Sequence, residues 1–279
     1  RAAVACANLL GTREVSVLTM APEMIQELVF GLQASWESRD YAGVRWPLER
    51  MILAVNNMSI SDSNKEVLVK FGIVPTLMEI VRSYENEVEN VYESTLKTLA
   101  NLTFNDDGKE QMQAADAVTA MDEFQKEVQW DDAQGAREIA QDIVFMLTKA
   151  INVEMAFLPI GALTHGRRHV MVSYSPLALE EHVMEVVRSL RNKGFDVWDR
   201  QQGSSLRKAG GPGGRAGMDV MAEAMELAEH IVIFVSRAYR ESYRCRLEAK
   251  FAHIRERAGR SSIYYVMLEE DGRPSNDQS

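Results

Sequence analysis

The segment SYRCRLEAKF, Ser242 to Phe251, places a cysteine and a glutamate three residues apart among basic residues. A carboxylate such as Glu248 could stabilise positive charge that develops while a bond breaks. Spacing alone favours the alternative, in which Glu248 is a surface residue paired with Arg244, Arg246 or Lys250, and such ion pairs contribute little to stability. Cys245 is predicted to be a small core residue, because a nucleophilic role needs a nearby base and the spacing supplies none.

The composition of the 279 residues is that of a globular chain, with 46% hydrophobic and 26% charged residues. No stretch has the pattern of a signal peptide or a membrane span, so a cytoplasmic protein is expected. Cys6 and Cys245 have neither disulfide nor zinc-site spacing, and no metal is expected. The net charge of -10 is concentrated in the first 150 residues, which disfavours binding to nucleic acid.

Two segments of the first half repeat with an offset of 44 residues: AVNNMSISDSNKEVLVKFGIVPTLMEIV, from Ala54, and LANLTFNDDGKEQMQAADAVTAMDEF, from Leu99. A weaker third copy begins at CANLLGTREVSVLTM and contains Asn8. Each copy is predicted to form amphipathic helices, with Gly72 ending one helix and Pro75 opening the next. Repeated helices at this period are typical of an α-solenoid.

The stretch FGIVPTLMEIV, with the NN and ANL turns, resembles armadillo repeats. Residues 1–150 are therefore predicted to form an all-α armadillo-like solenoid, which implies a protein or peptide partner on its surface. The repeated Asn57 and Asn101 could hold the backbone of such a peptide or make local structural hydrogen bonds, and the structural interpretation is favoured. Because the chain starts with Arg1 inside a predicted helix, further repeats are expected upstream.

Residues 151–167 are predicted to be a linker, and residues 168–279 alternate short apolar runs with amphipathic helices. The predicted strands are HVMVSYS, FDVWD, HIVIFVS and SSIYYVML. Strand–helix alternation of this length predicts a flavodoxin-like parallel sheet. Ligands of such sheets bind at the carboxyl ends of the strands, which places the candidate loops at Ser175–Pro176, residues 201–217 and residues 237–242.

The motifs VMVSYS, GFDVWD, MAEAMELAEHIVIFVS and SRAYRESYRCRLEAKFA resemble the TIR (Toll/interleukin-1 receptor) domain. Ser242, Cys245 and Glu248 match the S-x-x-C-x-x-E spacing of that family. Arg244 stands where many TIR domains carry tryptophan. Family members usually continue with another strand and helix after the fourth strand, and both elements are expected to be missing from residues 168–279.

The resemblance implies that Glu248 corresponds to the glutamate with which some TIR domains cleave NAD+ between nicotinamide and ribose. Positive charge then develops on the ribose, which a carboxylate can stabilise. The residues expected to contact NAD+ are Ser173, Tyr174, Ser175, Trp198, Arg207, Arg215 and Arg244. The glycine-rich stretch from Ser204 to Gly217 is interpreted chiefly as a flexible insertion, although its arginines could meet a pyrophosphate.

These observations predict a protein of intracellular, innate-immunity-like signal transduction, in which the solenoid restrains or recruits a TIR domain that self-associates. The expected output is NAD+ nucleosidase activity, with NAD+ as substrate and no prosthetic group. The alternative is a non-catalytic TIR adaptor that acts by protein–protein assembly. Attraction between the acidic solenoid and the basic TIR helix is a hypothesis for the restraint.

Overall fold

The computed structural model describes residues 21–83, 89–128, 134–148, 169–176, 180–199 and 217–268. The chain divides into two compact units, Arg1–Ala150 and Ile151–Ser279, which we describe separately. The predicted linker, the weak first repeat with Asn8, and the segment after Leu268 lie outside the described residues.

The first unit is all-helical over its described residues. Its helices are α1 Pro22–Trp36, α2 Leu48–Met58, α3 Asp62–Lys70, α4 Ile73–Arg82, α5 Glu89–Leu102, α6 Asp106–Ala114, α7 Ala117–Glu127 and α8 Gln134–Thr148. Apolar side chains from one face of each helix form the core, since burying them removes apolar surface from water. Fully buried examples are Leu28, Leu32, Met51, Ile52, Leu77, Met78, Leu96, Leu99, Met121 and Phe124.

The offset of 44 residues in the sequence recurs in the helices. The short helices α3 and α6 have equal lengths and start 44 residues apart, as do the starts of α4 and α7. The turn before α4 is made by Gly72 (φ 76°) and the turn before α7 by Asp116 (φ 51°), both in the left-handed region. The helix predicted to open at Pro75 begins two residues earlier, at Ile73, because this turn ends at Gly72.

The repeated asparagine of α5 makes a structural hydrogen bond. Asn101 is buried, and its Nδ2 donates to Ser59 Oγ (2.8 Å), just after the end of α2. This contact joins two consecutive copies of the repeat. For Asn101 the structure therefore supports the structural interpretation over peptide binding.

The second unit contains a parallel sheet of four strands, as predicted, over its described residues. Its elements are β1 His169–Ser173, α9 Glu180–Asn192, β2 Val197–Trp198, α10 Gly217–Leu227, β3 Ala228–Val235, α11 Arg237–Glu241, α12 Tyr243–Arg257 and β4 Ser262–Met267. The strand order is β2-β1-β3-β4, and all neighbouring strands are parallel. Strand β1 therefore lies between β2 and β3.

One core cluster of this unit lies between α9 and the strands β1, β2 and β3. Its buried members are Val170, Val172, Tyr174, Val183, Val187, Val197 and Phe234. Two details of the helices differ from what their apolar periodicity predicts. The periodicity of LEEHVMEVVRSLRNKG predicts Val186 on the inner face of α9, but Val186 is 37% exposed, and the neighbouring Met184 packs against the core instead. The run MDVMAEAMELAE predicts a helix that includes Ala228, but Ala228 begins β3, where it pairs with His169.

Candidate functional site

The sheet has a topological switch point between β1 and β3. The chain passes from β1 to β2 on one side, and returns to form β3 on the other side of β1. The helices that follow these strands diverge at such a point and leave a crevice at the carboxyl ends. Here β1 ends at Ser173, which pairs in register with Ile233, and β3 ends two residues later, at Val235.

Two serine caps fix the backbone that leads from β3 to Glu248. Ser236 follows β3 directly, and its Oγ accepts a hydrogen bond from Tyr239 N (3.1 Å) at the start of α11. Ser242 separates α11 from α12, and its Oγ accepts from Cys245 N (3.3 Å). Serine is a preferred N-cap because its oxygen satisfies a backbone N–H that has no helical partner. Both helix starts are thereby fixed close to the end of β3.

Glu248 is buried against the end of β1. Its side chain is 5% exposed, and its Oε2 accepts a hydrogen bond from Ser173 Oγ. Ser173 Oγ also lies 2.8 Å from Tyr239 Oη. The structure thus contradicts the surface position that spacing alone would favour for Glu248. The three side chains come from β1, α11 and α12, so the carboxylate is held where the three elements meet.

Residues after β1 pack beneath the same helix. Tyr174 and Ser175 are buried, and Cys245 Sγ, also buried, donates to the Tyr174 carbonyl oxygen (3.8 Å). The core role predicted for Cys245 is confirmed by this environment. Ser173, Tyr174 and Ser175 therefore share one edge of the sheet with Glu248, as the sequence predicted.

Trp198 and Arg244, the other two predicted NAD+ contacts that the structure describes, are both half-buried. Half-buried Trp198 ends β2 and pairs with Met171, two residues before the end of β1. Arg244 is half-buried on α12, with its guanidinium carbon 5.8 Å from the Tyr243 ring centre. Arg207 and Arg215 lie outside the described residues.

Two functional candidates were missed by sequence reasoning. Tyr239 lies inside the motif SRAYRESYRC, and a hydroxyl in the connection between a strand and a helix was the available signal. Asp199 directly follows β2 and is buried, and its Oδ2 accepts from Arg191 Nη2 (2.9 Å). The acidic end of GFDVWD could have indicated it. This ion pair joins α9 to the end of β2.

Two side chains of this unit, Tyr265 and Arg255, have shifted pKa values. Burial raises the pKa of the Tyr265 hydroxyl, and the nearby Glu256 carboxylate raises it further. Burial lowers the pKa of Arg255, against the opposing effect of Glu226. Arg255 Nε donates to Ser261 Oγ (3.1 Å), which in turn donates to the carbonyl of Ala228 at the amino end of β3. Arg255 therefore supports the sheet at the edge opposite Ser173.

The described residues contain no group of His, Cys, Asp and Glu side chains arranged to hold a metal ion. They also contain no helix with the length and apolar character needed to cross a membrane.

The second unit is a parallel α/β domain with a topological switch point between β1 and β3, the place where sheets of this kind generally bind their ligands. Residues 170–278 match the family model of the TIR domain. The chain therefore carries a C-terminal TIR domain after an all-helical region. Searches of curated proteins and of solved structures gave no significant match.

Proposed function

We propose that the TIR domain cleaves NAD+ at the bond between nicotinamide and ribose, with Glu248 as the catalytic residue. The observation that carries the proposal is the burial of the Glu248 carboxylate at the switch point, where Ser173 donates to it. A carboxylate that is fixed and shielded from water interacts more strongly with a developing charge than one on the surface.

The proposed reaction needs little acid–base catalysis by the protein. The C–N bond breaks, its electron pair passes to the nicotinamide nitrogen, and nicotinamide leaves as a neutral molecule. Positive charge develops at ribose C1′, where Glu248 stabilises it. A water oxygen then bonds to C1′ and releases a proton to solvent, which gives ADP-ribose. One carboxylate suffices because the leaving group needs no proton.

The substrate contacts follow from the same edge of the domain. We propose that Ser173, Tyr174 and Ser175 form the floor beneath the reacting ribose and that the Trp198 ring contacts the substrate next to β2. Arg207, Arg215 and Arg244 are proposed to meet the pyrophosphate, since guanidinium groups bind phosphate oxygens in pairs.

The proposal is tested by measuring nicotinamide release from the purified wild-type chain and from the variant Glu248→Gln. Glutamine keeps the shape of the side chain and removes its charge, so release should fall by about 100-fold or more while the fold is retained. Glu185→Gln, on the exposed face of α9, is the matched control and should release nicotinamide at the wild-type rate. A folded wild-type chain without release would refute catalysis.

The second candidate is TIR–TIR self-association without catalysis. The observation that favours it is Arg244, which replaces the tryptophan that many TIR domains carry directly before the cysteine. In that case the chain would form oligomers at rising concentration, with equal tendency in the wild type and in Glu248→Gln, and neither would release nicotinamide.

A regulatory role for the armadillo-like helical region completes the proposal. Its support is the charge asymmetry of the chain, acidic over residues 1–150 and nearly neutral beyond. If charge carries the regulation, nicotinamide release should change between low salt and about 0.5 M salt, where the screening length falls well below 10 Å. A rate that is independent of salt would exclude this electrostatic form of regulation.

A further inference from the structure

We propose that Tyr239 and Ser173 form a hydroxyl relay that orients the Glu248 carboxylate, which makes both of them positioning residues. The inference rests on the proposed function, because it assigns them a role in NAD+ cleavage. The three side chains lie on different elements: Tyr239 on α11, Ser173 at the end of β1 and Glu248 on α12. Tyr239 Oη and Ser173 Oγ are 2.8 Å apart, and Ser173 Oγ donates to Glu248 Oε2.

The chemistry of the three groups gives the relay one direction. An ionised carboxylate can only accept hydrogen bonds, and a serine hydroxyl has one proton to donate. When Glu248 is ionised, Ser173 gives its proton to Glu248 Oε2. The bond between Ser173 and Tyr239 must then use the Tyr239 proton. Tyr239 therefore donates to Ser173, and Ser173 donates to Glu248.

Burial makes this arrangement more than a surface contact. Ser173 is 1% exposed and Tyr239 is 4% exposed, so water competes little for either hydroxyl. A buried polar group that loses its partner is destabilised more than an exposed one, because water does not replace the lost hydrogen bond. A chain of hydrogen bonds in such surroundings strengthens each member and restricts rotation of the carboxylate. The relay thereby fixes the plane of the Glu248 carboxylate relative to the sheet.

The backbone supports the outer end of the relay. Ser236 caps α11 by accepting from the backbone N–H of Tyr239 itself. Arg237 and Glu241 form an ion pair along the same helix (2.8 Å). These contacts fix the backbone of α11, which carries the Tyr239 side chain. The Tyr239 ring should therefore stay buried when only its hydroxyl is removed. Tyr239→Phe is therefore the mildest variant that breaks the relay.

Kinetics of nicotinamide release give the first test. Ser173 donates to a charged group, and hydrogen bonds of that kind are stronger than neutral ones, so Ser173→Ala should lower kcat about tenfold to a hundredfold. Tyr239→Phe, one bond further away, should lower kcat about twofold to fivefold, and KM should change little in both. In a Glu248→Gln background, neither variant should lower the remaining rate further, because both act through the carboxylate. Equal losses in both backgrounds would overturn the positioning role.

A second measurement is independent of catalysis. In protein labelled with 13C at the glutamate carboxyl carbon, the Glu248 resonance is the one that disappears in Glu248→Gln. Its chemical shift should move in Ser173→Ala and move less in Tyr239→Phe, while Ser189→Ala on the exposed face of α9 leaves it in place. An unmoved resonance in Ser173→Ala and in Tyr239→Phe would overturn the relay.

The two measurements separate the inference from the function on which it rests. Should a folded wild-type chain release no nicotinamide, the proposed function is wrong, and the resonance still supports or overturns the relay. Should Ser173→Ala fail to fold, Tyr239→Phe carries both measurements, since it removes a single oxygen.

Discussion

Glu248 and Ser173 are 75 residues apart in the chain, and the carboxylate obtains its hydrogen bond only when β1 and α12 have packed. Burial of an acidic side chain costs free energy unless hydrogen bonds replace its hydration. At the residue scale, the candidate site is therefore a product of tertiary structure. A local change in the packing of β1 against α12 would alter the burial and the hydrogen bonding of the Glu248 carboxylate, even with the residue itself unchanged.

The buried Cys245 gives a prediction at this scale. Cys245→Ala should leave nicotinamide release within about twofold of wild type, because the buried thiol donates to the Tyr174 carbonyl and is assigned a packing role. The lost packing should reduce the free energy of unfolding by about 1 kcal/mol. Urea denaturation and nicotinamide release, measured on the same preparation, check both parts. Loss of release from a folded Cys245→Ala chain would show that the thiol takes part in the chemistry.

The sequence predicted on which element Glu248 lies better than it predicted the surroundings of this side chain. The spacing of Ser242, Cys245 and Glu248 placed the glutamate on the helix after the third strand, and the apolar run before it predicted that strand. Whether Glu248 faces solvent or β1 depends on the rotation of α12 against the sheet. Because charged residues lie on both sides of Glu248, the sequence does not show which face of α12 packs against the sheet. Tyr239 was missed for a related reason, since its partner Ser173 belongs to a distant strand.

At the scale of elements, helix starts in both units depend on a few residues of special conformation. Gly72 and Asp116 provide left-handed turns at equivalent places of the repeat, and Thr119 Oγ1 donates to Asp116 Oδ1 (2.9 Å). Glycine adopts this conformation without steric cost, whereas aspartate tolerates it through local hydrogen bonds. Sequence alignment paired the surrounding helices correctly, but it could not show that two chemically different residues make the same turn.

Gly72→Ala should destabilise the helical region by about 1 kcal/mol, because a side chain disfavours a φ of 76°. No atom lies within 4 Å of the position that the new Cβ would take, so the loss would reflect backbone strain alone. Gly135→Ala, in the first turn of α8 with equally open space, is the matched control and should be neutral or stabilising. Urea unfolding midpoints compare the two variants. Equal midpoints for Gly72→Ala and wild type would mean that the turn relaxes at no cost.

At the scale of the whole molecule, the chain joins an all-helical region to a TIR domain. The internal repeat predicted the helices of the first region, since its period survives in the positions of α3, α4, α6 and α7. Strand and helix alternation predicted the parallel sheet. The order β2-β1-β3-β4 follows from the preference for right-handed crossovers together with a change of direction at β1, and no residue pattern states where that change occurs.

The proposed TIR–TIR self-association gives a prediction if it also promotes the proposed NAD+ cleavage. Nicotinamide released per chain should then rise with protein concentration, because association follows mass action. Adding Glu248→Gln chains to a fixed amount of wild type should also raise release per wild-type chain, because the variant keeps the surfaces proposed to associate. The same mass of an unrelated protein is the control. Release strictly proportional to wild-type concentration in both experiments would show that single chains are fully active.

The uneven pairing of the strands bears on how the TIR domain fluctuates. Strand β1 shares two register positions with β2 and five with β3, while β3 shares six with β4. Local opening begins where few buried contacts and backbone hydrogen bonds hold an element. Amide protons of β2 should therefore exchange with deuterium well before those of β1 and β3. Ser173 ends the strand at the centre of the slowly exchanging part, so breathing of the domain would expose the β2 margin of the crevice while its floor stays closed.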